Sequence, residues 1–194
     1  TYRQISADRG AWLDTPASSA DEQIDFWRRA LAGAPVDSDL PYDRAPTGLA
    51  ERRGATVRAQ IDQRTRSALA RLAADHSVTM FMVCHAAVAA LLRGMSGSDD
   101  IVVGTPVSGR GDSDLDDLVG MFVNTLVLRT SVDKQSSFAA LLDVVRDADL
   151  AAFDHADVPF DRLVTELNPP RSSSGQPYFD VSVAVEGTSQ VDLD

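Results

Sequence analysis

The side chains with reactive potential in this 194-residue chain are few and scattered: one cysteine, three histidines, and an asparagine set into an apolar run. Cys84 and His85 are adjacent, which invites a thiol nucleophile served by an imidazole base. Neighbours on a helix point about 100° apart, so these two do not face each other. In an Ala/Val/Leu-rich stretch they read instead as a buried or boundary thiol and a hydrogen-bonded imidazole. His76 and His155 stand apart from His85 and from each other. A single cysteine excludes an internal disulfide and cannot by itself build a zinc site. Asn124 says more. Across residues 119–129, Phe122, Leu126 and Leu128 share one side of a period-2 element with Asn124 among them, and Val123, Thr125 and Val127 take the other. A buried amide must be satisfied, either by backbone as a clamp or within a channel wall against a neighbouring lobe. Taken alone, the pattern favours the clamp.

Several elements must position these groups. Ser19, Asp21 and Glu22 suit a capping box, and Ile24, Trp27 and Leu31 recur at helical spacing until Gly33 and Pro35. Residues 36–53 read as an extended connection, and Ala55, Val57, Ala59 and Ile61 alternate as a strand. Asp62 is placed to cap a helix with Leu69, Leu72 and Ala73 inward, running to about His76. Thr79 caps a second helix carrying Met80, Val83, Ala87 and Leu91, which Gly94 and Gly97 end. Residues 101–107 form a buried-type strand, and 108–117 an acidic loop in which Asp112 or Asp114 could hold Arg110. Ser136 or Ser137 opens a helix with Phe138, Leu141, Leu142, Val145 and Ala152 on one face. Pro159 opens a shorter one that Asn168-Pro169-Pro170 closes. Phe179, Val181, Val183 and Val185 then alternate with Asp180, Ser182, Ala184 and Glu186 as a last strand. The intermingling predicts an α/β fold, a mixed sheet with helices packed on it.

The chain is long enough for a real core, and 44% hydrophobic with 24% charged residues is ordinary for a globular domain. The formal net charge of -11 repels a phosphate backbone, so no nucleic-acid partner is expected. No apolar run reaches the roughly 18 residues that span a bilayer, and no signal-peptide pattern opens the chain. The expectation is a cytoplasmic chain without a membrane partner.

Taken in order, five stretches resemble the signatures of the carboxyl-terminal half of condensation domains of nonribosomal peptide synthetases. Residues 119–129, VGMFVNTLVLR, are similar to GxFVNTxxLR; residues 155–164, HADVPFDRLV, to HQDxPFExLV; and residues 171–181, RSSSGQPYFDV, to RDxSRxPLFxV. Upstream stand TMFMV at 79–83 and DDIVVGTPVSGR at 99–110. The resemblance runs from Tyr2 to about Gly187. It implies one lobe of a two-lobed fold like that of chloramphenicol acetyltransferase, with a tunnel between lobes that admits two phosphopantetheine arms. The implied reaction joins a donor thioester to an acceptor amine.

In that family catalysis centres on an HHxxxDG loop in the amino-terminal lobe, and this sequence contains no such motif. The resemblance therefore implies that residues 1–194 are an incomplete carboxyl-terminal lobe with no catalytic residue of its own and no condensation activity unaided. Its implied partners are the amino-terminal lobe of the same domain, donor and acceptor peptidyl carrier proteins, and an adenylation domain. No metal and no directly bound cofactor are implied, because the substrates ride on phosphopantetheine carried by the partner carrier proteins. Supporting or tunnel positions carried over from the family are Arg110, facing the aspartate of the missing loop, with Asn124, Arg129 and Ser182. Asp157 and Pro159 are expected to shape a helix start above Phe160 and Leu163. Ala156 stands where the family has glutamine, residues 174–177 lack the arginine of SRxP, and Gly187 replaces a frequent asparagine. The alternatives are a condensation-like domain that recruits partner enzymes or scaffolds a module, and a related epimerase or cyclising domain.

Overall fold

A computed structural model describes residues 1–16, 18–41, 54–110, 115, 117–170 and 177–186. At its centre lie two antiparallel strands, β1 (Asp100–Val107) and β2 (Asn124–Ser131), paired from Asp100↔Ser131 to Val107↔Asn124. A third segment lies parallel to β1: Gly104 donates its N–H to the Val181 carbonyl at 2.9 Å and accepts from the Val183 N–H at 2.9 Å. The sheet is thus mixed. Gly104 makes room there for the Phe179 ring, which a Cβ would meet at 2.3 Å and have to displace. The last strand is shorter than the alternation suggests: Val183 is buried, but Val185 is exposed and only the Gly104–Ser182 bridge forms among the described residues.

Six helices surround this ribbon: α1 (Tyr2–Leu13), α2 (Ser19–Ala30), α3 (Gln63–Asp75), α4 (Met80–Ser96), α5 (Phe138–Phe153) and α6 (Phe160–Leu167). Their starts follow side-chain capping. Ser18, one residue before the expected start, accepts from the Ala20 N–H; Asp62 accepts from Thr65, Thr79 from Met82, and Ser137 from Ala140. The Thr65 amide holds the exposed Asp62 carboxyl below its ordinary range. Gly97 ends α4 with φ +75°, while Gly94 lies inside the helix. No single helix among the described residues is long and apolar enough to cross a membrane.

Three expectations need correction. Residues 55–61 form no strand; they are extended and exposed, with Val57 at 95% and Ile61 at 66% exposure, because no neighbouring strand among the described residues pairs with them. α4 buries Met82, Val83, His85, Ala86, Ala89 and Leu92, leaving Leu91 60% exposed, so the inward stripe is rotated from the one centred on Ala87 and Leu91. In a helix this rich in Ala, Val and Leu, periodicity does not fix the inward face. The 119–129 strand begins only at Asn124, with Val119 and Met121 exposed. α1 was not expected at all, since its sequence lacks an apolar stripe and it buries no residue.

The core gathers Ile24, Trp27, Val83, Val103, Leu126, Leu128, Leu142 and Val145 between the ribbon and the helices. Inside it sits a polar triad. His85 Nδ1 lies 2.9 Å from Asp149 Oδ1, its Nε2 lies 3.4 Å from Thr130 Oγ1, and all three residues are fully buried. The hydrogen bond expected of His85 is thus made by an acid on the apolar face of α5, one turn past Val145. Removing one partner leaves the other buried and unpaired, which costs more than replacing both with apolar groups. His85→Ala is therefore expected to lower the unfolding free energy by about 3–5 kcal/mol, and His85→Leu with Asp149→Leu by far less. Urea midpoints of the three proteins check this; equal losses in the single and double variants would refute it.

Candidate functional site

Loop residues following β1 and the first residue of β2 bound an open pocket of about 230 Å³, lined by Arg9, Val107, Ser108, Gly109, Arg110, Asn124, Phe153, Ala156 and Asp157. Gly109 makes the turn possible. Its φ is +62°, and a Cβ there would lie 1.8 Å from the Phe122 carbonyl oxygen. The turn brings the Arg110 guanidinium 4.4 Å above the Phe122 ring, where its Nη groups donate to the carbonyls of Leu115 and, at 2.9 Å, Leu118. No carboxylate among the described residues pairs with Arg110, and Asp112 and Asp114 lie outside them. Arg9, which sequence reasoning did not single out, adds a second guanidinium with no polar partner among the described residues. The one acid lining the pocket, Asp157, accepts from Gln23 Nε2 at 2.9 Å. The pocket therefore presents donors and suits an acceptor or an anion.

Asn124 is buried at the floor of this pocket and fully committed. Its Nδ2 donates to the carbonyls of Ala156 at 2.8 Å and Val158 at 2.9 Å, and its Oδ1 accepts from the N–H of Thr125 at 2.8 Å and of Phe160 at 3.0 Å. Four bonds exhaust a primary amide, so none remains for a ligand. The Phe160 bond also explains how α6 begins. Its N-cap, Pro159, has no side-chain acceptor, and β2 supplies one from outside the helix. Asp157, expected to help shape that start, is instead tied to α2 through both its carboxylate and its N–H, each bonded to Gln23.

Arg129 and Ser182 do not join the pocket. Arg129 lies five residues along β2 from Asn124, about 17 Å at strand rise. Its Nε and Nη2 reach the Asp100 carboxylate at 2.8–3.2 Å, and its Nη1 donates to the carbonyls of Ala30 and Ala32 at the end of α2. The Asp100 hydrogen bonds raise the guanidinium above its ordinary value. Ser182 is exposed on the segment bridging Gly104. His155 stacks on Phe26 at 3.8 Å and donates from Nδ1 to the Ala151 carbonyl at 2.7 Å, while its own carbonyl accepts from Trp27 Nε1 at 2.9 Å, so these contacts hold α2 against the end of α5. Among the described residues no cluster of His, Cys, Asp or Glu could hold a metal ion.

A family model described as Condensation domain matches residues 12–193. The dimodular nonribosomal peptide synthase of Bacillus subtilis is 40% identical over 180 residues, 93% of this chain but 8% of that protein. The X-domain from teicoplanin biosynthesis, solved in complex with OxyB, superposes with TM-score 0.86 at 29% identity, over 94% of this chain and 41% of that one. The first condensation domain of the CDA synthetase gives TM-score 0.70 at 25% identity over 86% and 36%. The chain thus spans a small fraction of the synthetase and well under half of each solved chain.

The two constraints beneath the pocket make separable predictions. Asn124→Ala strands the Phe160 N–H and two carbonyls, so a loss of about 1–3 kcal/mol is expected, with amide exchange at Phe160 accelerated more than at Leu128. Gly109→Ala, strained in conformation and in space, is expected to shift the Phe122 resonances while leaving those of α4 in place. Nuclear magnetic resonance reads both, and uniform exchange across the chain in Asn124→Ala would contradict the clamp.

Proposed function

This chain belongs to the condensation-domain family of nonribosomal peptide synthetases, and from that premise we propose that it forms the carboxyl-terminal wall of a tunnel in which amide bonds are made. Its helices on a mixed sheet are part of that family's chloramphenicol acetyltransferase-like fold. In the proposed reaction, the acceptor amine attacks the carbonyl carbon of a donor thioester. The C–N bond forms, the C–S bond breaks, and the proton lost by nitrogen ends on the released thiol. Both reactants arrive on phosphopantetheine arms of carrier proteins, so the protein's share is orientation and charge stabilisation. The histidine loop that would face the nitrogen belongs to the companion lobe, and this wall alone is expected to be inactive.

What supports this reading is a pocket in which two guanidiniums, those of Arg9 and Arg110, outnumber the single carboxylate of Asp157. Arg110 is held by two carbonyls of its own loop and by the Phe122 ring, and its Nε makes no bond among the described residues. A carboxylate reaching in from the opposite lobe, such as the aspartate of an HHxxxDG loop, would find a fixed cation there. Asn124 and Arg129 support the wall from within, and Ser182 lies on the solvent side of the third segment. Docking of the carriers on so acidic a chain calls for a local patch, and the exposed Arg64, Arg66 and Arg71 of α3 provide one. A second reading rests on the similarity to the X-domain solved with OxyB: a lobe that recruits a partner enzyme without condensing.

One assay separates the two. In the complete synthetase with both carriers loaded, the wild-type protein is expected to form product in a single turnover. Arg110→Ala is expected to slow it about 100-fold, the equivalent of about 2.7 kcal/mol in the barrier, with unchanged circular dichroism. An inert wild-type protein would favour the recruiting role. An active Arg110→Ala would remove the cross-lobe assignment.

A further inference from the structure

α1 buries none of its residues, yet its first aromatic side chain is engaged on three counts. Tyr2 Oη donates to the Met121 carbonyl at 2.9 Å. Its ring meets Phe122 edge to face, with centroids 5.1 Å apart and an interplanar angle of 88°. It also lies so close over Gly120 that a Cβ there would fall 2.2 Å from the ring. Phe122 is the one buried residue among those described between Leu115 and Val123, so the loop has little else to fix it. The same Phe122 ring carries the Arg110 guanidinium, and Arg110 in turn bonds to Leu115 and Leu118 of that loop.

We propose that Tyr2 is a positioning residue for Arg110: by seating Phe122 and pinning the Met121 carbonyl, it fixes the surface on which the guanidinium rests. The inference depends on the role given above to Arg110 and extends it to a helix that no signature motif includes. Edge-to-face aromatic contact and cation–π attraction are each modest and orientation-dependent, so they act here through geometry more than through stability. A displaced Phe122 would leave Arg110 with its charge but without a fixed aim. Misplacement by about 1 Å near a reacting centre is enough to cost rate.

The test uses the complete synthetase and single-turnover transfer between loaded carriers. Tyr2→Ala is expected to lower kcat about tenfold while KM for the loaded carriers stays within about twofold. Tyr2→Phe, which keeps the ring and loses only the hydroxyl, should recover to within about threefold of wild type. Gly120→Ala, which pushes the Tyr2 ring away from the other side, should behave like Tyr2→Ala. On an Arg110→Lys background, Tyr2→Ala should add little further loss, because the two act through one stack. Should Tyr2→Ala lower the melting temperature, Tyr2→Leu, which keeps apolar volume without the ring, is read in its place. A wild-type rate in Tyr2→Ala, or losses that multiply with Arg110→Lys, would overturn the inference. Full activity in Arg110→Ala would instead bring down the role of Arg110, and this inference with it; an inactive Arg110→Ala beside a fast Tyr2→Ala brings down this inference alone.

Discussion

Every polar side chain on a buried strand must find a partner inside the protein, and that constraint organises this fold around β2. Leu126, Val127 and Leu128 are all essentially inaccessible, so the strand is covered on both faces. Three of its polar side chains then tie it to different elements. Asn124 binds the turn between α5 and α6, Thr130 meets the His85–Asp149 pair bridging α4 and α5, and Arg129 joins the end of α2 to Asp100 on β1. A two-stranded ribbon is marginal by itself. Here its stability and its register come from helices that it holds in place through those same three residues.

This arrangement shows why some of the fold was legible in the sequence and some was not. Caps and strands carry local signals: Asp62, Thr79 and Ser137 sit where their helices begin, and residues 101–107, which read as a buried strand, form β1 with Asp100 added at its start. Asn124 announced a clamp by being an amide in an apolar row. Its partners did not announce themselves, because backbone carbonyls at Ala156 and Val158 have no residue type to recognise. Asp149 could have been found, as an acid on the apolar face of α5 one turn beyond Val145, where only a buried cation or donor makes sense. The inward face of α4 could not be chosen from its own residues, since apolar side chains surround it. For residues 55–61 the alternation is genuine, but a strand also needs a neighbour, and the pattern of one segment does not supply it.

The candidate site divides along the same line. Arg110 and Asn124 meet at one pocket because the loop carrying Arg110 leaves β1 at Val107, which is paired with Asn124, the first residue of β2. Arg129, equally prominent in the sequence signature, lies at the far end and faces α2. Shared membership of a motif thus separates here into two physical roles, one holding the strand and one bordering an open surface. Arg9 borders that surface and Tyr2 braces the neighbouring loop, both from a helix whose sequence shows no amphipathic stripe, and only the tertiary contacts reveal them.

The contrast between Asn124 and Arg110 bears directly on how such a wall could act. Asn124 has no hydrogen-bonding capacity left, so a substituent entering the pocket meets it only as a surface, and its contribution to any reaction is the position of the elements it joins. Arg110 is held differently, through two carbonyls and an aromatic face, an arrangement that orients a cation without neutralising it. A guanidinium paired internally with a carboxylate would have nothing to offer a second body, and one free in solvent would have to be ordered at the moment of contact, at an entropic cost. Among the described residues it is held by neutral acceptors alone, on a loop that Tyr2 and Gly109 restrain, so its orientation is set in advance and less ordering remains to be done on contact.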